Sequence, residues 1–96
     1  MQELTRKRRT RLEVIYNILS VCENCARKTW IMYRANLSYE LANNYINELI
    51  SKNLIEQRDN LFCLTDKGKQ LLELLKQYIE KKNDAKNLLQ QITSFL

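Results

Sequence analysis

From Thr10 to about Asn24 apolar side chains recur at helical spacing, at Leu12, Val14, Ile15, Ile18, Leu19, Val21 and Cys22. The stripe is too wide for a helix lying on a surface, so this segment is expected to pack on two sides, as a central helix does. Asn24-Cys25-Ala26 breaks it. A shorter amphipathic piece follows over residues 28–35, where Ile31, Met32 and Ala35 can share a face, and Asn36-Leu37-Ser38 interrupts it. Ser38 is a good N-cap, with Glu40 in the first turn where the helix dipole favours an anion. The helix it opens is expected to reach about Lys52, with Leu41, Tyr45, Leu49, Ile46 and Ile50 facing inward. Tyr16, Tyr33 and Tyr45 sit at helical spacing and are assigned to the core.

After Asn53 the period changes from 3.6 to 2. Residues 54–58 and 61–65 read as two short strands flanking Asp59-Asn60, a pair that tolerates the left-handed backbone of a tight hairpin. Thr65-Asp66 then caps a last helix running to about Leu96. Its thirty or so residues reach roughly 45 Å at about 1.5 Å each, further than the rest of the chain can cover.

Heptad positions fit this last helix, with a at Leu71, Tyr78, Ala85 and Ile92 and d at Leu74, Lys81, Leu88 and Phe95; Leu75, Leu89 and Leu96 broaden the seam. Alone, such a helix would expose its leucines to water, so a partner helix is expected. A parallel pair would stack Lys81 on Lys81. An antiparallel pair centred near Asn83 and Asp84 sets Leu71 near Leu96, Leu75 near Ile92 and Tyr78 near Leu89, with Asp84 close to the partner's lysines. The antiparallel arrangement is the expected one.

Two helices joined by a turn of three or four residues form a helix-turn-helix unit, and a hairpin directly behind it forms a wing. The expected fold class is mainly α with a small β-hairpin: a winged helix-turn-helix followed by a long C-terminal helix in an antiparallel dimeric coiled coil. The expected divisions are a basic arm at 1–10, the winged domain at 11–66 and the dimerisation helix at 67–96.

Composition agrees with long helices and few connections, since the 96 residues include one glycine, Gly68, and no proline. The formal net charge is +5, unevenly spread. Residues 1–36 carry eight basic and three acidic side chains, residues 37–66 two and five, and residues 67–96 six and three. The run Arg6-Lys7-Arg8-Arg9-Thr10-Arg11 concentrates the excess and suits phosphate backbones or acidic membranes, with a solvated arm as the plainer reading. No apolar run approaches the length of a membrane span, and no secretory leader is apparent, so the expected location is the cytoplasm, without a membrane partner.

Candidate chemistry is sparse. Cys22 and Cys25 match C-x-x-C, but there is no histidine, and Cys63 adds only a third thiol to a metal site that wants four ligands. Small buried apolar residues are the favoured reading of the cysteines, with a structural disulfide next. No metal or cofactor is expected. Without histidine, and with a single glycine, there is no Ser-His pair, phosphate-cradling loop or dinucleotide fingerprint, so an enzyme is not expected.

The segment Lys28-Thr29-Trp30-Ile31-Met32-Tyr33-Arg34-Ala35-Asn36-Leu37-Ser38-Tyr39 resembles the helix-turn-helix signature of small archaeal winged-helix DNA-binding proteins. More particularly, it resembles the crenarchaeal "10a" class of chromatin-associated proteins. Arg11-Leu12-Glu13-Val14-Ile15 and Leu64-Thr65-Asp66-Lys67-Gly68 support the likeness. The resemblance implies an elongated homodimer with two winged domains at the ends of an antiparallel rod. Trp30 stands where such proteins usually carry a basic residue. Asn53 stands where a glycine often closes the recognition helix, and asparagine is the next best residue there.

On this reading the second helix of the unit enters the major groove of double-stranded DNA, led by Ser38 and Tyr39. Asn43, Asn44 and Asn47 face outward, and asparagine can bond adenine bidentately. Glu40 and Glu48 repel phosphate, so affinity is expected from Lys28, Arg34, Arg58 at the wing tip, and Arg6, Lys7, Arg8, Arg9 and Arg11. Two roles follow: a nucleoid-associated chromatin protein of weak sequence preference, or a sequence-specific transcription regulator. A protein–protein interaction module is the alternative of a different class.

Overall fold

The computed structural model describes residues 9–96 as four helices and one hairpin: α1 (Arg11–Cys22), α2 (Lys28–Ala35), α3 (Tyr39–Ser51), β1 (Ile55–Arg58), β2 (Leu61–Leu64) and α4 (Asp66–Ser94). Arg6, Lys7 and Arg8 lie outside the described residues. The element order matches the hydrophobic pattern, and the reasons are local.

Three of the four helix starts, those of α1, α3 and α4, are fixed by a side-chain oxygen that accepts an otherwise orphaned backbone N–H, whereas α2 begins after Arg27 without a side-chain cap. Ser38 Oγ accepts from the Leu41 N–H at 3.2 Å, and Thr65 Oγ1 accepts from the Gly68 N–H at 3.0 Å. At α1 the bond is reciprocal, a capping box. Thr10 Oγ1 accepts from the Glu13 N–H at 3.2 Å, while Glu13 Oε1 accepts from the Thr10 N–H at 2.8 Å. The Thr10 N–H bond holds the Glu13 carboxyl below its usual range, aided by the positive charge of Lys82 at 3.6 Å.

Two helix ends are closed by asparagines in the left-handed region, where a chain with one glycine must find a substitute. Asn36 has φ 55° and lets the Leu37 N–H reach the Met32 carbonyl at 2.9 Å. Asn53 has φ 61° and lets the Leu54 N–H reach the Leu49 carbonyl at 2.9 Å. These are Schellman closures, and Asn53 takes the conformation expected of it.

The strands pair antiparallel, with Ile55 opposite Leu64 and Arg58 opposite Leu61, around the two-residue loop Asp59-Asn60. Asp59 carries the positive φ, 57°. A third, single-residue strand joins the edge: Ala26 and Phe62 exchange both backbone bonds, at 3.0 and 2.8 Å. The loop between α1 and α2 is thereby stitched to the wing.

A covalent bond reinforces that stitch. Cys25, itself at φ 53°, is disulfide-bonded to Cys63, with 4.2 Å between their Cα atoms. This corrects the reading of all three cysteines as simple buried residues. The C-x-x-C spacing is misleading, because Cys22 ends α1 pointing into the core while Cys25 turns toward β2. Cys22 is free and buried, and desolvation pushes its thiol up to about 12.

The core draws on every element, centred on Ile18 and Leu19 of α1, Ile31 of α2, Ile46 and Leu49 of α3 and Ile55 of β1, all almost fully buried. α1 is the central helix, touching α2, β2 and α4. Three assignments of helix faces are corrected. On α3 the buried position is Ala42, whereas Leu41 is 49% exposed. On α2 Tyr33 is 75% exposed, because Ile31 and Ala35 already fill that helix's inner face. On α4 Leu72 and Leu75 point into the domain, so Leu75 belongs to the core instead of to an outer seam.

Gly68 has a packing role. A Cβ there would stand 2.0 Å from the Leu54 carbonyl oxygen, so only glycine lets α4 pass the corner between α3 and β1 this closely. Beyond that corner α4 packs along α1, with Leu72 and Leu75 buried and Lys82 still paired with Glu13, while from Glu80 onward every side chain is exposed. The described residues measure 56 × 33 × 19 Å as a result.

Candidate nucleic-acid interface

With Ala42, Ile46 and Leu49 buried, helical geometry sends Glu40, Asn44, Asn47 and Ser51 to the opposite, solvent side of α3. This outward stripe carries amides, a hydroxyl and one carboxylate. Its two flanks are electrostatically organised by neighbouring elements.

On the flank toward α2, Lys28 Nζ donates to Asn43 Oδ1 and sits 4.3 Å from the Tyr39 ring centre, a cation–π contact. Asn43 is therefore half-buried and occupied. Of the asparagines assigned to the interface, Asn44 and Asn47 are exposed, while Asn43 fixes Lys28 in place. Ser38 is engaged as the N-cap of α3, so its hydroxyl orients the helix end.

The other flank holds a charge cluster. Glu48 is bridged by Arg11 from α1 and by Lys52, whose Nζ lies 2.8 Å from Glu48 Oε2. Glu48 does not stand alone at this surface, because two cations accompany its one negative charge. Such exposed pairs contribute little to stability, about 0–1 kcal/mol, but they set the sign of the surface. Arg11 also lies 5.9 Å from the Tyr45 ring centre. Arg9 Nη2 donates to the Asn36 carbonyl at 3.1 Å, which places a guanidinium at the turn between α2 and α3.

The remaining cations are more dispersed. Arg58 Nε donates to Glu56 Oε2 at 2.9 Å along the wing strand. Arg34 lies on the far side of α2 from Lys28, with its guanidinium 5.5 Å from the Trp30 ring centre. The structure thus gathers Arg9, Arg11, Lys28, Tyr39, Asn44 and Asn47 around α3, and sets Arg34 apart from them. Lys52 was missed from sequence, although its spacing of four from Glu48 is the signal for such a pair.

Among the described residues no group of three His, Cys, Asp or Glu side chains could hold a metal, and no helix is long and apolar enough to cross a membrane.

This arrangement of three helices followed by a hairpin, with a polar outer face on α3, is a winged helix-turn-helix. The family model of that description matches residues 8–83, and the chain belongs to that family. Two proteins of Methanocaldococcus jannaschii are similar in sequence. The uncharacterised protein MJ0287 is 38% identical over 79 residues, covering 81% of each chain. The uncharacterised protein MJ0290 is 37% identical over 71 residues, covering 73% of this chain and 34% of that longer protein; here the chain spans about a third of its relative. In fold, the chain is similar to Sso10a-2, a DNA-binding protein from Sulfolobus solfataricus. The TM-score is 0.80 at 23% identity, over 92% of this chain and 97% of that one.

Proposed function

We propose that this chain binds double-stranded DNA, with α3 in the major groove and the Asp59-Asn60 wing tip against the flanking backbone. The observation that carries the reading is the outward stripe of α3. It is polar and free of competing contacts at Asn44 and Asn47, and it is flanked by Lys28 and Arg9 at one end and by the Arg11–Glu48–Lys52 cluster on its side. The similarity in fold to a DNA-binding protein supports it. Most of the affinity comes from cations on phosphates, including the basic run at Arg6, Lys7 and Arg8, so binding is weakly sequence-specific and suits an architectural, nucleoid-associated role. Nothing in the arrangement calls for catalysis.

The protein acts as a homodimer through α4. Leu74, Tyr78, Leu88, Leu89, Ile92, Phe95 and Leu96 are exposed along it. With Leu75 in the core, the antiparallel register pairs Leu71 with Phe95, Leu74 with Ile92, Tyr78 with Leu88 and Lys81 with Ala85. Ala85 is small enough to leave room for the lysine stem. The seam also ends in a groove of about 350 Å³ lined by Lys52, Leu54, Lys67, Gln70, Leu71 and Leu74, where this register delivers the partner's Phe95 and Leu96.

The free amides of Asn44 and Asn47 favour a second reading, a regulator that recognises one operator. A salt series with unrelated duplexes decides between the two. The architectural reading expects affinities within a few-fold of one another and a steep salt dependence. A preference above roughly a thousand-fold for one sequence favours the regulator. Absence of duplex binding at low salt would leave the fold as an interaction module. Sedimentation at micromolar concentration tests the dimer, which a monomer would refute.

A further inference from the structure

The face of α2 turned away from α3 bears a cluster that the duplex interface does not use. Trp30 is half-exposed and Tyr33 three-quarters exposed, although neither ring is needed to fill the core. Their rings stack, with centroids 5.6 Å apart and planes 27° from parallel, and the Arg34 guanidinium lies 5.5 Å from the indole centre. The result is a short ladder of flat groups along one helix edge, set by the spacing i, i+3, i+4. Beside it lies a groove of about 270 Å³, lined by Trp30 and Arg34 of α2, by Ser20 and Val21 of α1, and by Asn24 and Cys25 of the loop between them.

The groove has an apolar floor in Val21, an aromatic wall, an amide at Asn24 that can donate and accept, and a cation at its rim. Between residues 21 and 39 the only acidic side chain is Glu23, against Arg27, Lys28 and Arg34. That charge balance favours an anionic ligand over a cationic one, and flat apolar rings favour a ligand with an aromatic face. The disulfide at Cys25 and the backbone pairing of Ala26 with Phe62 hold the α1–α2 loop, so the groove is built on fixed backbone.

We propose that this face is a second nucleic-acid site that takes unpaired nucleobases of a single strand. One base lies against the Trp30 indole with its hydrogen-bonding edge toward Asn24. The neighbouring base covers Tyr33, and Arg27 and Arg34 meet the intervening phosphates. Stacking of this kind is sequence-tolerant, because every base has a π-face. The site lies on the opposite flank of α2 from Lys28 and Asn43, so one molecule can hold a duplex on α3 and a single strand on α2.

Trp30 is the sole tryptophan of the chain, so its emission reports the site directly. Titration with an oligothymidine of twelve nucleotides is expected to quench Trp30 fluorescence, whereas a duplex of equal phosphate concentration leaves it nearly unchanged. In anisotropy with a labelled strand, W30A and Y33A are each expected to lose about ten-fold in single-strand affinity. Both variants should bind duplex as wild type does. Single-strand binding without quenching, or wild-type single-strand affinity in W30A and Y33A, overturns the proposal, as does the absence of single-strand binding by a protein that binds duplex. The parallel duplex titration separates failure here from failure of the duplex reading. If W30A were unfolded by circular dichroism, Y33A, at a residue with little buried surface, would carry the test alone.

Discussion

The Cys25–Cys63 bond allows a quantitative prediction. The two cysteines stand 38 positions apart, and the loop between them contains α2, α3 and β1, that is, the helix-turn-helix and half the wing. Cross-linking a loop of that length removes unfolded-chain entropy equivalent to about 4 kcal/mol at 25 °C. A domain of this size shifts its melting temperature by about 4–8 °C per kcal/mol, so reduction should lower it by roughly 15–30 °C. The check is thermal unfolding by circular dichroism with and without reductant, at one fixed protein concentration because a dimer's melting depends on it. The double variant C25A/C63A should melt with the reduced wild type and no longer respond to reductant. The reasoning is refuted if both thiols are shown to be free and melting falls by less than about 5 °C.

Gly68→Ala reverses a familiar sign. Alanine in a helix interior ordinarily gains about 1 kcal/mol over glycine, but here its Cβ would sit 2.0 Å from the Leu54 carbonyl oxygen. Denaturant titration should show a net loss of about 1–3 kcal/mol, and a stabilised variant would contradict the close approach. Cys22 should not react with a thiol reagent in the native protein at pH 8, and should react fully once the chain unfolds in guanidinium. Its raised value carries a linkage: between pH 9.0 and about 12 the unfolded thiol ionises while the folded one does not, so this group's contribution to stability is lost as pH rises through that window. Rapid labelling of the folded protein would contradict the burial. Glu48→Gln should release Arg11 and Lys52, strengthen duplex binding several-fold and steepen its salt slope by about one to two contacts. Unchanged affinity would show that these cations do not face phosphate.

Elements were legible from sequence because each rests on a local signal. The boundaries of α2 and the caps at Ser38 and Thr65 follow from residues within one turn, and so do the left-handed closures at Asn53 and Asp59. Faces were less legible where two registers compete. Leu41 and Ala42 are neighbours, and hydrophobicity alone selects the leucine. Ala42 stands four residues before Ile46 and seven before Leu49, on the face that those two bury, so Ala42 is buried instead. Tyr33 was drawn to the core by spacing, yet α2 is so short that Ile31 and Ala35 complete its inner face. The disulfide was not legible, because C-x-x-C draws attention to Cys22, and only the backbone pairing of Ala26 with Phe62 brings Cys25 to Cys63. The candidate interface was half-visible. Its residue types could be read from the chain, but the capture of Asn43 by Lys28 and of Glu48 by Arg11 and Lys52 depends on three helices meeting.

The most direct test of the central claim is amide chemical-shift mapping of the labelled protein titrated with a duplex of about two helical turns at low salt. The account predicts the largest shifts at Asn44, Asn47 and Ser51 on the outer face of α3, at Lys28 and Tyr39 beside its start, and at Arg58–Asn60 on the wing. Duplex binding that leaves α3 and the wing unshifted, with changes confined to the exposed length of α4, would contradict it.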